Sequence, residues 1–276
     1  MHSLHSDGSL SVAALVERVA ARGVQLMALT DHDNTAGVKE AAAAAAHLGI
    51  AFLPGVEISS EWNGMGIHIV GLGIDIENLT LQRGLQRIME FRDWRAAEID
   101  RRLTNMGIVG AEQGARALAG SRMVGRTHFS RWLVQEGHCR DNAAAFERWL
   151  GRGRAAYVPS DWIPMPEAVG WIRSAGGIAV LAHPGRYKLS PERLRALLLE
   201  FREAGAGALE VCSGSQGAAD REHLGRLARE LDLAGSLGSD FHGPEIGHAE
   251  IGQLPPLPQG VRPVWESLPS PIPTTH

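Results

Sequence analysis

Five histidines of this chain stand at the ends of stretches that read as buried strands, or inside them, and carboxylates stand beside them. LMALT runs into Asp31 and His32, AFLPGV into Glu57, IAVLA into His183, and SLGS into Asp240, Phe241 and His242. His68 lies within GIHIVG, and His2 opens the chain in MHSLHSDG, with Asp7 five residues on. Imidazoles and carboxylates gathered from several strand ends are what a multinuclear metal site needs, because one helix cannot offer that many ligands. Glu57 and His68 sit in strongly apolar strands and must find partners once buried.

The chain also offers contacts for a charged substrate. Residues 78–156 hold 14 basic and 8 acidic residues, against a net charge of −4 for the whole chain. A basic segment beside an acidic, cation-loaded site suits a polyanion; arginines that merely solvate helix faces are the alternative. Arg126, Thr127 and His128 open a helix in this segment, and a helix N-terminus with an adjacent arginine binds anions. Arg186, three residues past His183, falls at the site mouth as a second phosphate ligand. Ser213 follows GALEV and can reach phosphate too. Trp62, Tyr157 and Trp162 either stack on a base or pack in the core and lid. His47, His138, His223, His248 and His276 read as surface residues and Cys212 as packing. Lysine occurs only at positions 39 and 188, so a lysine nucleophile has few candidates.

Periodicity gives the elements that must position these groups. Val12, Leu15, Val16 and Val19 recur at helical spacing between Ser11 and Gly23. LMALT is a short buried strand, a helix capped by Asn34 or Thr35 covers 35–48, and IAFLPGVEIS and GIHIVGLGI are the next strands. One long helix then runs from Thr80 to Met106, with shorter ones at 112–119, 126–136 and 142–150 and no strand among them. Alternation resumes with a helix at 165–175, GGIAVLAH, a helix from Pro191 to Ala204, GALEV, a helix at 217–231 and LAGSLGSD. Repeated β-α units imply parallel strands with helices outside and ligands at the strands' carboxyl ends. The helical insertion is expected to leave after GIHIVGLGI on that same face.

A length of 276 residues and 44% hydrophobic content allow one barrel or two smaller domains. Cys139 and Cys212 are far apart and outside any CxxC, which argues against a disulfide scaffold or zinc ribbon. No basic-then-apolar leader and no long apolar run is present, so a cytoplasmic protein without a membrane span is expected. Half of the 14 prolines fall in 255–276, a tail expected to be extended or disordered.

In order, HSLHSDGSLS, LTDHDNT, PGVEIS, IHIVGL, LAHPGRY and GSDFH resemble the motifs of the PHP (polymerase and histidinol phosphatase) family. They span nearly all of the chain outside the insertion. GRTHFSRWL and the following YVP resemble the nucleotide branch, 3′,5′-nucleoside bisphosphate phosphatases that include a 5′-3′ exoribonuclease. The resemblance implies an α/β fold, a distorted (β/α)7 barrel with the insertion as lid. It implies a barrel of residues 1–77 and 157–254, an insertion of 78–156 and a tail of 255–276. Two or three divalent ions are implied, commonly Mn2+, with Zn2+ or Fe2+ in some members. By matching motif, His2 and Asp240 belong to one ion and Glu57 bridges it to a second. His68 and His183 complete the second, and Asp7, His32 and His242 form the third. The family's first motif reads Asp-x-His-x-His, and Met1 falls on the x between its histidines. A truncated first strand and one missing ligand are therefore expected, with weak metal loading and poor stability; His5 matches a variable position.

The chemistry implied is removal of the 3′-phosphate from a nucleoside 3′,5′-bisphosphate. Paired ions can generate hydroxide at neutral pH and clamp a phosphoryl group. Arg186 or Arg126 stabilises charge on the phosphoryl oxygens, and His128 or a metal-bound water protonates the leaving oxygen. The same site can cleave short 5′-phosphorylated RNA from the 5′ end. A histidinol-phosphatase-like enzyme and a non-catalytic nucleotide-sensing module are the alternatives, and no stable protein partner is expected.

Overall fold

The computed structural model describes residues 1–120, 123–214, 216–245 and 249–268. The chain begins with a short loop and helix α1 (Val12–Ala21), whose apolar face is fully buried through Leu15, Val16 and Val19. Strand β1 (Leu26–Leu29), helix α2 (Val38–His47) and the long strand β2 (Ala51–Trp62) follow. Ser11 caps α1 as expected, but α2 starts after Gly37 with no side-chain cap. Asn34 is taken up elsewhere, because its amide donates to the carbonyls of His5 and His32.

Strand β3 (Met65–Leu72) is antiparallel to β2, a departure from the all-parallel arrangement that β-α repetition suggests. Only Asn63 and Gly64 separate the two strands, and both have positive φ (49° and 72°). That is the turn that matches strand twist in a two-residue hairpin. Reversal of β3 also corrects the exit point of the insertion. The end of β3 at Leu72 pairs with Gly55 and Ile178, near the amino ends of the parallel strands, so the insertion leaves opposite the ligand-bearing face.

Helix α3 (Leu79–Thr104) then runs for 26 residues, about 39 Å at the usual helical rise. Its first turns bury Leu81, Leu85 and Ile88 in the barrel core. Its last turns bury Ala96, Ile99 and Leu103 in a separate cluster with Phe129, Leu133 and Leu150. Helices α4 (Ala111–Ala119), α5 (Arg126–Gln135) and α6 (Asn142–Ala145) and a π-helical turn (Phe146–Leu150) complete the insertion.

The barrel resumes with the two-residue strand β4 (Ile163–Pro164), which periodicity does not reveal, then α7 (Met165–Ser174) and β5 (Ile178–Leu181). Helix α8 (Pro191–Glu203), β6 (Ala208–Ser213), α9 (Ala218–Glu230) and β7 (Ala234–Gly238) follow. The sheet order is β1-β2-β3-β5-β6-β7, with β4 beside β2, a mixed sheet curled into a half-barrel with helices outside. At its open side Met1 and His2 lie between the ends of β1 and β7. The Met1 carbonyl accepts from Thr30 N, and His2 N donates to Phe241 O. Below them a cavity of about 400 Å³ is lined by Leu26, Ala28, Leu53, Val70, Leu237 and Val264.

The proline-rich segment is better ordered than its composition suggests. Val261, Val264 and Leu268 are buried, and Gly235 N donates to Arg262 O, so residues 255–268 pack along β7. Apolar side chains between the prolines hold it there. Residues 269–276 lie outside the described part of the chain.

Candidate active site

The carboxyl ends of β1, β5 and β7 point the same way, and His32, His183, Asp240 and His242 lie just beyond them. His32 forms a parallel bridge with Glu57, which brings the two side by side even though Glu57 lies in mid-strand rather than at a strand end. His68 pairs with Ser59 across the hairpin, two positions from Glu57. The N-terminal loop is held by Asp31, whose carboxylate accepts from Ser3 N, Ser3 Oγ and Ser6 Oγ at 2.6–2.7 Å. That loop delivers His2 and Asp7. Asp33, His183 and Asp240 all have left-handed backbones (φ 55°, 31° and 48°). Non-glycine residues adopt that region at a cost, and such strain gathers at functional sites.

The donor atoms converge. Glu57 Oε2 lies 3.0 Å from His2 Nε2, which lies 3.1 Å from Asp240 Oδ1. Glu57 Oε1 lies 2.8 Å from His68 Nδ1 and 3.2 Å from His183 Nε2, and those two nitrogens are 3.3 Å apart. Asp7 Oδ1 lies 3.3 Å from His242 Nε2 and 3.9 Å from both His32 Nε2 and His2 Nδ1. Ligands bonded at about 2.1 Å to one ion sit about 3.0–3.4 Å apart, so the first two groups already have the span of a coordination shell. His2, Asp7, His32 and His242 form one group within 4.8 Å, and His32 also groups with Glu57 and His68. Thus His2 and His32 each touch two clusters, a sharing that motif matching does not give.

The electrostatics suit cation binding. Burial alone would raise the Glu57 carboxyl, yet the surrounding imidazoles of His32, His183, His2 and His68 hold it well below its ordinary range. Asp7 and Asp240 are lowered in the same way, against their own burial, by neighbouring histidines. Burial opposes a charge on His2, but hydrogen bonds to Asp240 and Glu57 outweigh it and raise the ring to about 10. His183 is raised against its burial by Glu57. Burial dominates at His32 and lowers it to about 4. Asp7 Oδ1 is buried and, beyond its 3.3 Å approach to His242 Nε2, has no hydrogen-bond partner among the described residues, so it is an acceptor that a bound cation would satisfy. Mixed imidazole and carboxylate donors, with one carboxylate facing two groups, fit two or more borderline or hard divalent ions.

A cleft of about 290 Å³ opens onto these donors, and Thr127, Arg131 and Arg186 are at its wall. Arg186 Nη1 is 2.5 Å from Asp240 Oδ2. Arg126 points instead over the Tyr157 ring, 5.5 Å from its centroid. His128 is buried and its Nδ1 accepts the Gly125 N–H. Ser213 is buried, its hydroxyl has no hydrogen bond among the described residues, and Cys212 is buried as expected. Trp62 lies in the core with its indole N–H on Glu200. His47 is exposed, His138 and His223 are half-buried, and His248 and His276 are outside the described residues.

Three contributors escape a reading by motif. Arg131 lies one turn beyond Thr127 on the same helix face, so its i, i+4 spacing could have flagged it. Glu210 is buried in β6 and accepts the His183 N–H at 2.6 Å; an acid inside GALEV deserved the logic applied to Glu57. Burial raises Glu210 to about 7. Gly238 makes room for it, since a Cβ there would fall 1.8 Å from Glu210 Oε1. Asp33 accepts from Ser59 N and Oγ and from Arg92, and no local pattern predicts that.

Comparison with known proteins agrees with this geometry. The PHP domain model matches residues 1–100. A 5′-3′ exoribonuclease of Haemophilus influenzae is 44% identical over 97% of this chain and 97% of its own length. The chain belongs to the PHP family. A 3′,5′-nucleoside bisphosphate phosphatase of Chromobacterium violaceum is also 44% identical, over 97% of this chain and 94% of its own. Among solved structures, a Chromobacterium violaceum amidohydrolase with bound sulfate and no metal superposes with a TM-score of 0.88 at 43% identity. That match covers 96% of this PHP chain and 93% of the other. No helix among the described residues is long and apolar enough to cross a membrane.

Proposed function

We propose that this PHP chain is a metal-dependent phosphoesterase that removes the 3′-phosphate of nucleoside 3′,5′-bisphosphates and also trims short 5′-phosphorylated RNA from its 5′ end. The reading rests above all on Glu57, whose two oxygens face two different groups of donors. His2, Glu57 and Asp240 would hold one divalent ion, Glu57, His68 and His183 a second, and Asp7, His32 and His242 a third. Mn2+ follows from the family resemblance, with Zn2+ or Fe2+ as alternatives that the five imidazoles and three carboxylates accept equally. Bound there, such ions supply positive charge to a phosphoryl group and a nucleophile at neutral pH.

The chain's own residues bind and orient. Arg186 and Arg131 line the cleft and match phosphoryl oxygens. Thr127 offers a hydroxyl and lies in the first turn of α5, where N–H groups favour anions. His128 accepts at Nδ1, so its ring proton sits on Nε2, and burial keeps the ring neutral. It therefore fixes the first turn of α5, and water is left to protonate the leaving oxygen. Ser213, at the end of β6, is a minor candidate for a phosphate contact. In both substrates the attacked phosphorus is attached to a ribose 3′-oxygen, and that oxygen leaves. The two relatives at 44% identity carry one name for each activity, which supports both.

Residues 78–156 would act as the lid over a barrel of residues 1–77 and 157–254, working in the cytoplasm. A histidinol-phosphatase-like activity is disfavoured because Asp7 stands where that branch uses histidine. A non-catalytic sensor is disfavoured because all eight donors gather in one place. The test is product analysis with Mn2+-loaded protein. Adenosine 3′,5′-bisphosphate should give adenosine 5′-monophosphate, and a 5′-phosphorylated trinucleotide should give 5′-mononucleotides. Inertness toward both would overturn the reading.

A further inference from the structure

Strands β3 and β5 pair antiparallel from Leu72 and Ile178 as far as Ile69 and Leu181, and the next pair in that register is His68 with Ala182. Hydrogen-bonded partners in a regular antiparallel ladder exchange both N–H···O bonds. One of the two is direct here, since Ala182 N donates to His68 O at 3.1 Å. The reciprocal one runs through a side chain. His68 N donates to the Tyr187 hydroxyl at 2.9 Å, and that hydroxyl donates to Ala182 O, also at 2.9 Å. A single phenol oxygen thus stands between the strands, at the pair that carries His68 and immediately precedes His183. The local backbone delivers it. Tyr187 ends a short 3-10 turn (Pro184–Tyr187) bracketed by His183 (φ 31°) and Lys188 (φ 49°), both left-handed at a cost. The Tyr187 ring meets the His183 ring edge-on, with centroids 5.5 Å apart. Filling this gap takes a group that both donates and accepts, and a phenol keeps its proton at neutral pH. The strands parted by it present imidazole nitrogens 3.3 Å from each other, and both face Glu57 Oε1.

We propose that Tyr187 is a positioning residue for the metal centre: its hydroxyl, wedged between β3 and β5, sets the spacing of His68 and His183 and so the affinity for the ion that these two and Glu57 would hold. The inference rests on the donor assignment made above and adds to it a residue outside the cleft wall. Groups that orient metal ligands from behind typically change metal affinity about ten- to a hundredfold when removed.

The test is Tyr187→Phe, which keeps the ring and removes the wedge. Chelator competition without substrate should show one bound Mn2+ weakened by about ten- to a hundredfold relative to wild type, with the remaining metal unaffected. Low-temperature EPR, at a free Mn2+ concentration that fills the wild type, should show loss of the spin-coupled signal of ions sharing Glu57. Phosphate release from adenosine 3′,5′-bisphosphate should need correspondingly more Mn2+, with kcat restored at saturating metal; a merely structural defect would not be repaired in this way. Tyr187→Met, which fills an irregular gap without a hydroxyl, repeats the titration if Tyr187→Phe melts early. Unchanged metal affinity in a folded variant, or a kcat loss that excess Mn2+ does not repair, would overturn the proposal. A wild type that binds Mn2+ but turns over neither the bisphosphate nor RNA would instead remove the nucleotide reading, while the substrate-free titration would still judge Tyr187.

Discussion

Arg92 donates from Nε to Asp33 Oδ2 at 2.8 Å, joining residues 59 positions apart in a buried contact. Asp33 follows His32 and also holds the backbone and hydroxyl of Ser59, two residues past Glu57. One ion pair therefore ties the insertion to both strands that carry central donors. Arg92→Leu would strand the Asp33 carboxylate in a dry site, and breaking a buried pair costs about 3–5 kcal/mol. Urea denaturation of the variant should show a loss in this range, and Arg92→Leu with Asp33→Asn should recover part of it. A loss under about 1 kcal/mol, the surface-pair value, would sink the latch.

Metal uptake should release protons. In the metal-free protein hydrogen bonds to Asp240 and Glu57 raise His2 to about 10, so its ring is protonated near neutrality; Glu57 raises His183 as well, whereas burial lowers His32 to about 4 and leaves it neutral. Metal ligands must be neutral rings, so affinity rises as pH rises toward the folded value, by up to about tenfold per unit for each proton released. The stability side has the matching sign. The contribution of His2 to the metal-free fold is complete below its unfolded value near 6.5 and is lost as pH climbs toward 10. Chelator competition at pH 6.5, 7.5 and 8.5 measures the affinity slope; a flat profile would contradict the proton count.

The legible part of this fold was set by short-range patterns. Val12, Leu15, Val16 and Val19 announced α1, and the apolar runs before His32, His183 and Asp240 gave β1, β5 and β7 with their ends. All eight candidate donors are legible because each adjoins or lies within such a run or belongs to the N-terminal motif. What stayed hidden depends on contacts between distant residues. The basic excess of residues 78–156 is legible in the sequence, whereas the burial of Arg92 and Arg95 where α3 crosses to the barrel is not. The direction of β3 was readable from Asn63-Gly64, yet β-α repetition outweighed a two-residue turn. In the tail, prolines masked the spacing of Val261, Val264 and Leu268.

Glu210 offers a separate pH test. Burial raises its carboxyl to about 7, so between about 4.5 and 7 the folded protein binds a proton that the unfolded chain has lost. Stability of the metal-free protein must therefore fall as pH rises across that window, by on the order of 3 kcal/mol at most. Glu210→Gln keeps an acceptor for the His183 N–H and cannot ionise, so its melting temperature should lack this decline. Parallel pH profiles for the two proteins between pH 5 and 8 would refute the assignment.

Arg131 is the simplest probe of the cleft wall. It is exposed at the site and belongs to no described ion pair, so Arg131→Ala should leave the melting temperature within about 1 °C, as surface substitutions do. Loss of one charge-assisted phosphate contact should lower kcat/KM by about ten- to a hundredfold. Unaltered kinetics would remove Arg131 from the binding surface.

The central claim is that Glu57 joins two metal sites that act together on a phosphoester. Its most direct test is phosphate release from adenosine 3′,5′-bisphosphate by Mn2+-loaded protein, chelator-stripped protein and the Glu57→Gln variant. Only the loaded wild type should release phosphate, in amounts equal to the adenosine 5′-monophosphate formed, with the other two reduced at least about a thousandfold. Comparable rates in all three would contradict it.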